Sequence, residues 1–158
     1  MQKITPFLWF DGKAEEAANF YVSISPGSKI VTVTRYGEAG PGPKGSVMTV
    51  EFELDGQRMI ALNGGPQFKF TEAISLSVDC KDQKEVDHYW TKLSQGGQES
   101  MCGWLKDRYG LSWQVNPTIL GELLSSRDAK KAKRVMEAML KMKKIDIAAL
   151  KAAAEAAS

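Results

Sequence analysis

The chain has 158 residues, which suits one domain or two small halves sharing a core. Its 43% hydrophobic and 25% charged content is that of an ordinary soluble globular protein. A formal net charge of +2, with the cations gathered towards the end, gives no ground for nucleic-acid binding, and the opening apolar run is too short for a membrane span or a signal peptide. Two cysteines, Cys80 and Cys102, lie in no metal-like spacing and fit a reducing compartment. The expectation is a cytoplasmic protein.

Residues 4–10 are rich in bulky side chains and predict a strand that ends at Asp11 and Gly12. A helix follows, because Ala14, Ala17, Ala18, Tyr21 and Ile24 recur on one stripe while Glu15, Glu16 and Asn19 face elsewhere. Pro26 and Gly27 stop it. Three strand-like runs come next, at 29–36, 47–54 and 58–62, the last two joined by the hairpin signal Asp55-Gly56. The order is β-α-β-β-β. Loop 38–45, EAGPGPKG, reads either as a lid over an opening or as a loose hairpin connection.

The second half starts again. Residues 73–79 alternate as a strand, and 84–93 predict a helix carrying Val86, Tyr89, Trp90 and Leu93 on one side. Short strands near 99–101, 104–106 and 111–115 follow. Setting Tyr21 against Tyr89 also sets Phe7 against Ser75, Trp9 against Ser77 and Asp11 against Asp79. The predicted class is α+β: two tandem βαβββ modules, about 1–66 and 67–117, building a curled mixed sheet within one domain. After Pro117 come helices at 118–124, at 129–142 capped by Asp128, and a last Ala-rich one capped by Asp146. Residues 118–158 form a helical tail whose stripe needs cover from the body or from a partner subunit.

Within the predicted strand 111–115, Trp113 and Val115 take one face while Ser112, Gln114 and Asn116 take the other. An uncharged amide in the middle of that face is the most pointed feature of the chain. Gln114 reads as a hydrogen-bonding residue at the floor of a cavity, a structural glutamine met by neighbouring backbone, or a metal ligand. The rings of Phe7, Trp9, Phe68, Phe70 and Trp104, with Asn63, Ser75, Ser77 and Gln114 among them, describe either a pocket for a flat or apolar ligand or a filled core. His88 sits off its helix's apolar stripe and reads as solvent-facing, which leaves no Ser–His or Cys–His pair. Cys102, on one strand face with Trp104 and Lys106, reads as a small hydrophobe or a reactive thiol near a cation. Glu51 and Glu53 read as surface carboxylates or, facing inward, a general base.

The segments TPFLWFDGKAEEAANFY, NGGPQFKFTEAISLSVDC, CGWLKDRYGLSWQVNPT and AMLKMKKIDIAAL together resemble the PhnB-like proteins of the vicinal oxygen chelate (glyoxalase/bleomycin-resistance) superfamily. That branch also carries the label 3-demethylubiquinone-9 3-methyltransferase. The resemblance spans residues 3–151. It implies paired βαβββ half-barrels and a homodimer, and in metal-bearing members His, Glu or Gln side chains meet on a divalent ion. The corresponding positions here are Phe7, Ala61 or Asn63, Ala73 or Ser75, and Gln114. Such a set is poor in charged donors, so no metal and no other cofactor is expected.

The resulting expectation is a module for a small hydrophobic or aromatic molecule, lined by Phe7, Trp9, Asn63, Phe68, Trp104 and Gln114. The alternative is an isomerase, lyase or dioxygenase of the same superfamily. Methyl transfer is not expected. A nucleotide-derived donor needs a strand, Gly-rich turn and helix, whereas Gly64-Gly65 runs into Pro66 and further extended chain.

Overall fold

A computed structural model describes residues 2–156. The first module is β1 (Phe7–Phe10), α1 (Ala14–Ile24), β2 (Lys29–Arg35), β3 (Val47–Leu54) and β4 (Gln57–Asn63). The second is β5 (Ser75–Cys80), α2 (Gln83–Ser94), β6 (Gln98–Glu99), β7 (Trp104–Lys106) and β8 (Ser112–Pro117). Three further helices follow: α3 (Thr118–Leu124), α4 (Ala129–Met139) and α5 (Ile147–Glu155). By its internal contacts the chain divides into two compact units between Phe70 and Thr71, the second including the three last helices.

Each unit holds one four-stranded mixed sheet, in the order β1-β4-β3-β2 and β5-β8-β7-β6. The two sheets repeat one wiring. β1 runs parallel to β4 and β5 parallel to β8, while the other pairs are antiparallel. A parallel pair needs a crossover, and the helix of each module lies between its first strand and the three that follow.

The sequence stripe of α1 is buried in full: Ala14, Ala17, Ala18, Tyr21 and Ile24. Against it lie Val50, Phe52 and Ala61 of the sheet, which have no exposed surface. Burying a side chain of Phe52's size contributes about 1.5–3 kcal/mol. Glu15 and Glu16 occupy the first turn of α1, where the helix dipole favours anions. In the second module Val86, Trp90 and Leu93 of α2 are buried in the same way. Asp82 caps that helix, accepting the Glu85 N–H at 2.9 Å.

The last helices form their own cluster around Leu120, Val135, Ile145 and Leu150, with Leu124, Met139 and Met142 packed on it. Asp128 and Asp146 cap α4 and α5 through backbone N–H groups one turn on. Arg134, one of the basic residues of α4, donates to the carbonyls of Ala153 and Ala154 at 2.9 Å each and closes the far end of α5. Main-chain bonds tie this region to the second sheet: Cys102 N–H to the Met142 carbonyl and Gly103 N–H to that of Lys143, both at 2.8 Å. Among the described residues no helix is long and apolar enough to cross a membrane.

Candidate functional site

In the first unit, alternation along β1 buries Leu8 and Phe10 under α1 and turns Phe7 and Trp9 to the other face. Phe68 meets the Trp9 ring edge-on, with centroids 4.9 Å apart. The indole Nε1 donates to the Gly65 carbonyl at 2.9 Å. Gly64 lies against the same ring so closely that a Cβ there would fall on it. Gly64 is therefore the seat of the Trp9 ring, while Gly65, at φ 100°, holds a conformation that favours glycine.

Asn63 is committed to structure. Its Oδ1 accepts the Ala14 N–H at 2.9 Å and so caps α1 from the end of β4, while its Nδ2 donates to the Val47 carbonyl at 3.1 Å. Tyr36 donates its hydroxyl to the Asn63 carbonyl at 2.5 Å. Loop 37–46 folds over the Tyr36 ring, and at Gly42 a Cβ would strike it. Between this loop, the start of α1 and residues 63–67 runs a cleft of about 550 Å3, with Asp11, Glu15, Tyr36, Pro41 and Gly65 in its wall. Of the predicted ligand residues, Asn63 lines it; Phe7, Trp9 and Phe68 do not.

The second unit answers the question posed by Gln114. Register places Ser75, Ser112 and Lys106 in one row across the sheet, then Ser77, Gln114 and Trp104, then Asp79 and Asn116. Gln114 Nε2 donates to Ser75 Oγ at 2.9 Å. Asn116 Nδ2 donates to Ser77 Oγ at 3.2 Å and reaches Gln114 Oε1 at 3.5 Å. A ladder of amides and hydroxyls thus covers the face opposite Trp113 and Val115. Over its Asn116 end lies a cleft of about 390 Å3, lined on the sheet side by Trp104, Gln114 and Asn116 and on the helix side by Leu120, Leu124 and Met139.

Asp79 and Cys102 also line that cleft. Cys102 departs from its expected place. It precedes β7 in a left-handed conformation, φ 59°, with Gly103 at φ 82°, so this turn ends the alternation that would have put it on a strand face. It still shares the cleft with Trp104. Cys80, by contrast, is fully buried, and burial, helped by Glu85, Asp79 and Asp82, pushes its thiol up to about 12.

The other chemical candidates are accounted for. Glu51 and Glu53 lie on the sheet face away from α1, Glu51 in one row with Ile60 and Phe7, and each is ion-paired, Glu51 with Arg58 at 2.5 Å and Glu53 with Lys29 at 3.7 Å. His88 is exposed and meets the Tyr89 ring edge-on. At the positions that the family resemblance marks for ligands, Phe7 and Ala61 offer no donor, the Asn63 amide is spent on Ala14 and Val47, Ser75 Oγ accepts from Gln114 Nε2, and the Gln114 Oε1 is an uncharged oxygen 3.5 Å from Asn116 Nδ2. A hard divalent ion takes six or more oxygen ligands, several of them charged, and this donor set does not fit one. Among the described residues no three His, Cys, Asp or Glu side chains gather as a metal site.

Two βαβββ modules in tandem, each with a helix on one face of a mixed sheet, define the glyoxalase-like fold of the vicinal oxygen chelate superfamily. A family described as 3-demethylubiquinone-9 3-methyltransferase matches residues 2–116, and the chain belongs to that family. A PhnB protein of Bacillus cereus, described with the same methyltransferase name, is 43% identical over 74% of this chain and all of its own, with a TM-score of 0.69. The protein PA1353 of Pseudomonas aeruginosa is 20% identical over 74% of this chain and 98% of its own, TM-score 0.62. A variant of the fosfomycin resistance protein FosX of Listeria monocytogenes, solved with Mn(II) and 1S,2S-dihydroxypropylphosphonic acid, is 12% identical over 73% of this chain and 93% of its own, TM-score 0.51. The last two likenesses concern the fold. No curated protein sequence matches the chain.

The helix residues Leu120, Leu124 and Met139 are the part of the cleft that sequence reasoning missed. Met139 fell on the apolar stripe of the predicted helix 129–142, which did not say what it would cover, and 118–124 was read only as a short helix. Asn116 and Asp79 carried a usable signal, since both lie in step with Gln114 and Ser77 on alternating strands.

Proposed function

We propose that the protein binds a small molecule with a flat or apolar body and a few polar groups, without a metal ion, in the cleft of the second module. One observation carries this reading: Gln114, Asn116 and Trp104 line one cleft with the apolar residues Leu120, Leu124 and Met139, the two amides being held by Ser75 and Ser77. Such a lining presents an aromatic wall, an apolar roof and amide groups that fix orientation. In the first module, Trp9, Phe68 and Phe7 form an aromatic surface of their own, and Asn63 acts by holding α1 and β3 in place. The two modules, 1–66 and 67–117, work as one domain, and the assembly is a homodimer.

The family's name does not describe the chemistry under this reading. Gly64 and Gly65 are followed by residues without regular structure up to β5, not by a helix whose N-terminus would hold phosphates. Tight binding of S-adenosylmethionine by calorimetry would overturn that half of the proposal.

The other half is tested with ligands found by thermal shift among small aromatics and antibiotics, since a ligand that binds only the folded state raises its melting temperature. Trp104→Ala should weaken a confirmed ligand about tenfold, the worth of one stacking contact. Gln114→Leu should change preference among ligands that differ in one polar group. Cys102 provides a native reporter, because bound ligand should slow its alkylation. A confirmed ligand that leaves Cys102 labelling untouched and tolerates both substitutions places the site elsewhere.

A further inference from the structure

Donors and acceptors are unevenly divided in the cleft of the second module. Asp79 and Asn116 stand opposite each other on β5 and β8, one step along the sheet face from Ser77, Gln114 and Trp104. The amides turn their N–H groups to the sheet. Gln114 Nε2 donates to Ser75 Oγ, and Asn116 Nδ2 donates to Ser77 Oγ and reaches Gln114 Oε1. That uses both Asn116 N–H groups and leaves Gln114 one. Against it stand Asn116 Oδ1 and both carboxylate oxygens of Asp79, which have no hydrogen-bond partner among the described residues. The Thr118 hydroxyl can serve either way. What remains is mostly acceptor oxygen.

We infer that the ligand of this cleft carries a positive charge, in the form of an ammonium group on an aromatic or apolar body. The inference rests on the cleft being the binding site, as proposed above, and adds the charge of what binds there. Among the described residues of the cleft wall Asp79 alone is charged, and no cation pairs with it. Other carboxylates on the two sheets and on α2 do have one: Glu51 with Arg58, Glu53 with Lys29, Asp87 with Lys144. An ammonium has three N–H donors and no acceptor, which matches a carboxylate beside amide oxygens. Trp104, one row away on the same face, offers an aromatic ring to the cation or to the ligand's body. The body extends from there towards Leu120, Leu124 and Met139. An anionic group would meet the Asp79 carboxylate with no cation in the wall to offset it. A hard metal ion would find a single carboxylate, too little charge for its usual shell. Asp79 is exposed, so water screens it and the charge preference is modest.

The test uses probes of nearly one shape: phenethylamine, phenethyl alcohol and phenylacetate. Each is titrated at neutral pH into the full chain while the backbone amide signals of Cys102, Gln114 and Asn116 are followed. The amine, protonated at that pH, should give saturable shifts in the millimolar range and bind about three- to fivefold more tightly than the alcohol. The carboxylate should bind most weakly. Asp79→Asn should bring amine and alcohol to within about twofold while the alcohol's own affinity stays the same, and Asp79→Glu should keep the preference. Added salt should shrink it. An alcohol or carboxylate that binds the cleft as tightly as the amine overturns the inference and leaves the cleft as a site for uncharged or anionic ligands. An amine preference that survives Asp79→Asn overturns it as well. So does the absence of saturable shifts with all three probes, and the cleft itself is then lost only if ligands from the thermal-shift screen also leave Cys102 labelling untouched.

Discussion

Asp107→Ala should destabilise the protein by about 3–5 kcal/mol in urea or thermal unfolding, more than any substitution in the proposed ligand cleft. Asp107 sits in the turn between β7 and β8 and is 3% exposed. Its Oδ1 accepts the N–H groups of Tyr109 and Leu111 at 2.8 and 3.1 Å, and its Oδ2 accepts the Trp113 Nε1 at 2.9 Å. The main chain closes the same turn, with Asp107 N–H to the Leu111 carbonyl and Gly110 N–H to the Asp107 carbonyl, both at 2.9 Å. Removing the carboxylate strands three donors, each costing about 1–3 kcal/mol when left unmet inside a protein, though such costs do not add in full. Asp107→Asn should cost less, because the amide keeps one acceptor oxygen. The turn also sets the register that places Trp104 beside Gln114, so the alanine variant should lose ligand binding along with stability. A loss below about 1 kcal/mol would mean that strand packing, not this carboxylate, holds the hairpin.

Asp107 also shows where the sequence stops being informative. The run Asp107, Arg108, Tyr109, Gly110 has the composition of a surface turn, and nothing local distinguishes a solvated aspartate from one buried against an indole six residues on. Features governed by local periodicity were legible: the stripe Ala14 to Ile24, the caps Asp128 and Asp146, and the alternation that gave Gln114 its face. The 68-residue echo between Tyr21 and Tyr89 marked a true repeat, since β1 with α1 and β5 with α2 occupy matching places in the two sheets. Contacts across long separations were not legible. Asn63 promised a polar handle for a ligand, yet its amide caps a helix that begins 49 residues earlier. The left-handed turn at Cys102 was hidden for a different reason: a non-glycine residue adopts that conformation only when the surrounding fold holds it there, here through the Met142 carbonyl. The six candidate ligand residues therefore divide by what fixes them. Trp104 and Gln114, set by strand pairing, line the proposed cleft, whereas Asn63 was recruited by tertiary structure for another task.

Cys80 carries the second large effect, and it should appear at alkaline pH. The thiol has no exposed surface, its Sγ meets the Val78 carbonyl at a long 3.9 Å, and Glu85, Asp79 and Asp82 make the surroundings unfavourable for a thiolate. Its pKa accordingly rises from 9.0 to about 12 in the folded protein. The sign follows from proton counting. Below pH 9 both states hold the proton and stability is unaffected; above it the unfolded chain ionises while the folded chain does not, so stability falls as pH rises towards 12. Three units correspond to about 4 kcal/mol at most. Other groups titrate in the same range, so the quantity to measure is the difference in unfolding free energy between the wild type and Cys80→Ala across pH 8–11. That difference should shift steadily against the wild type above pH 9, and over the same range native Cys80 should resist alkylation while half-exposed Cys102 reacts. A difference that stays constant with pH, or Cys80 labelling as fast as Cys102 in the folded protein, would show that the end of β5 opens to water, and with it the floor under Asp79 in the proposed cleft.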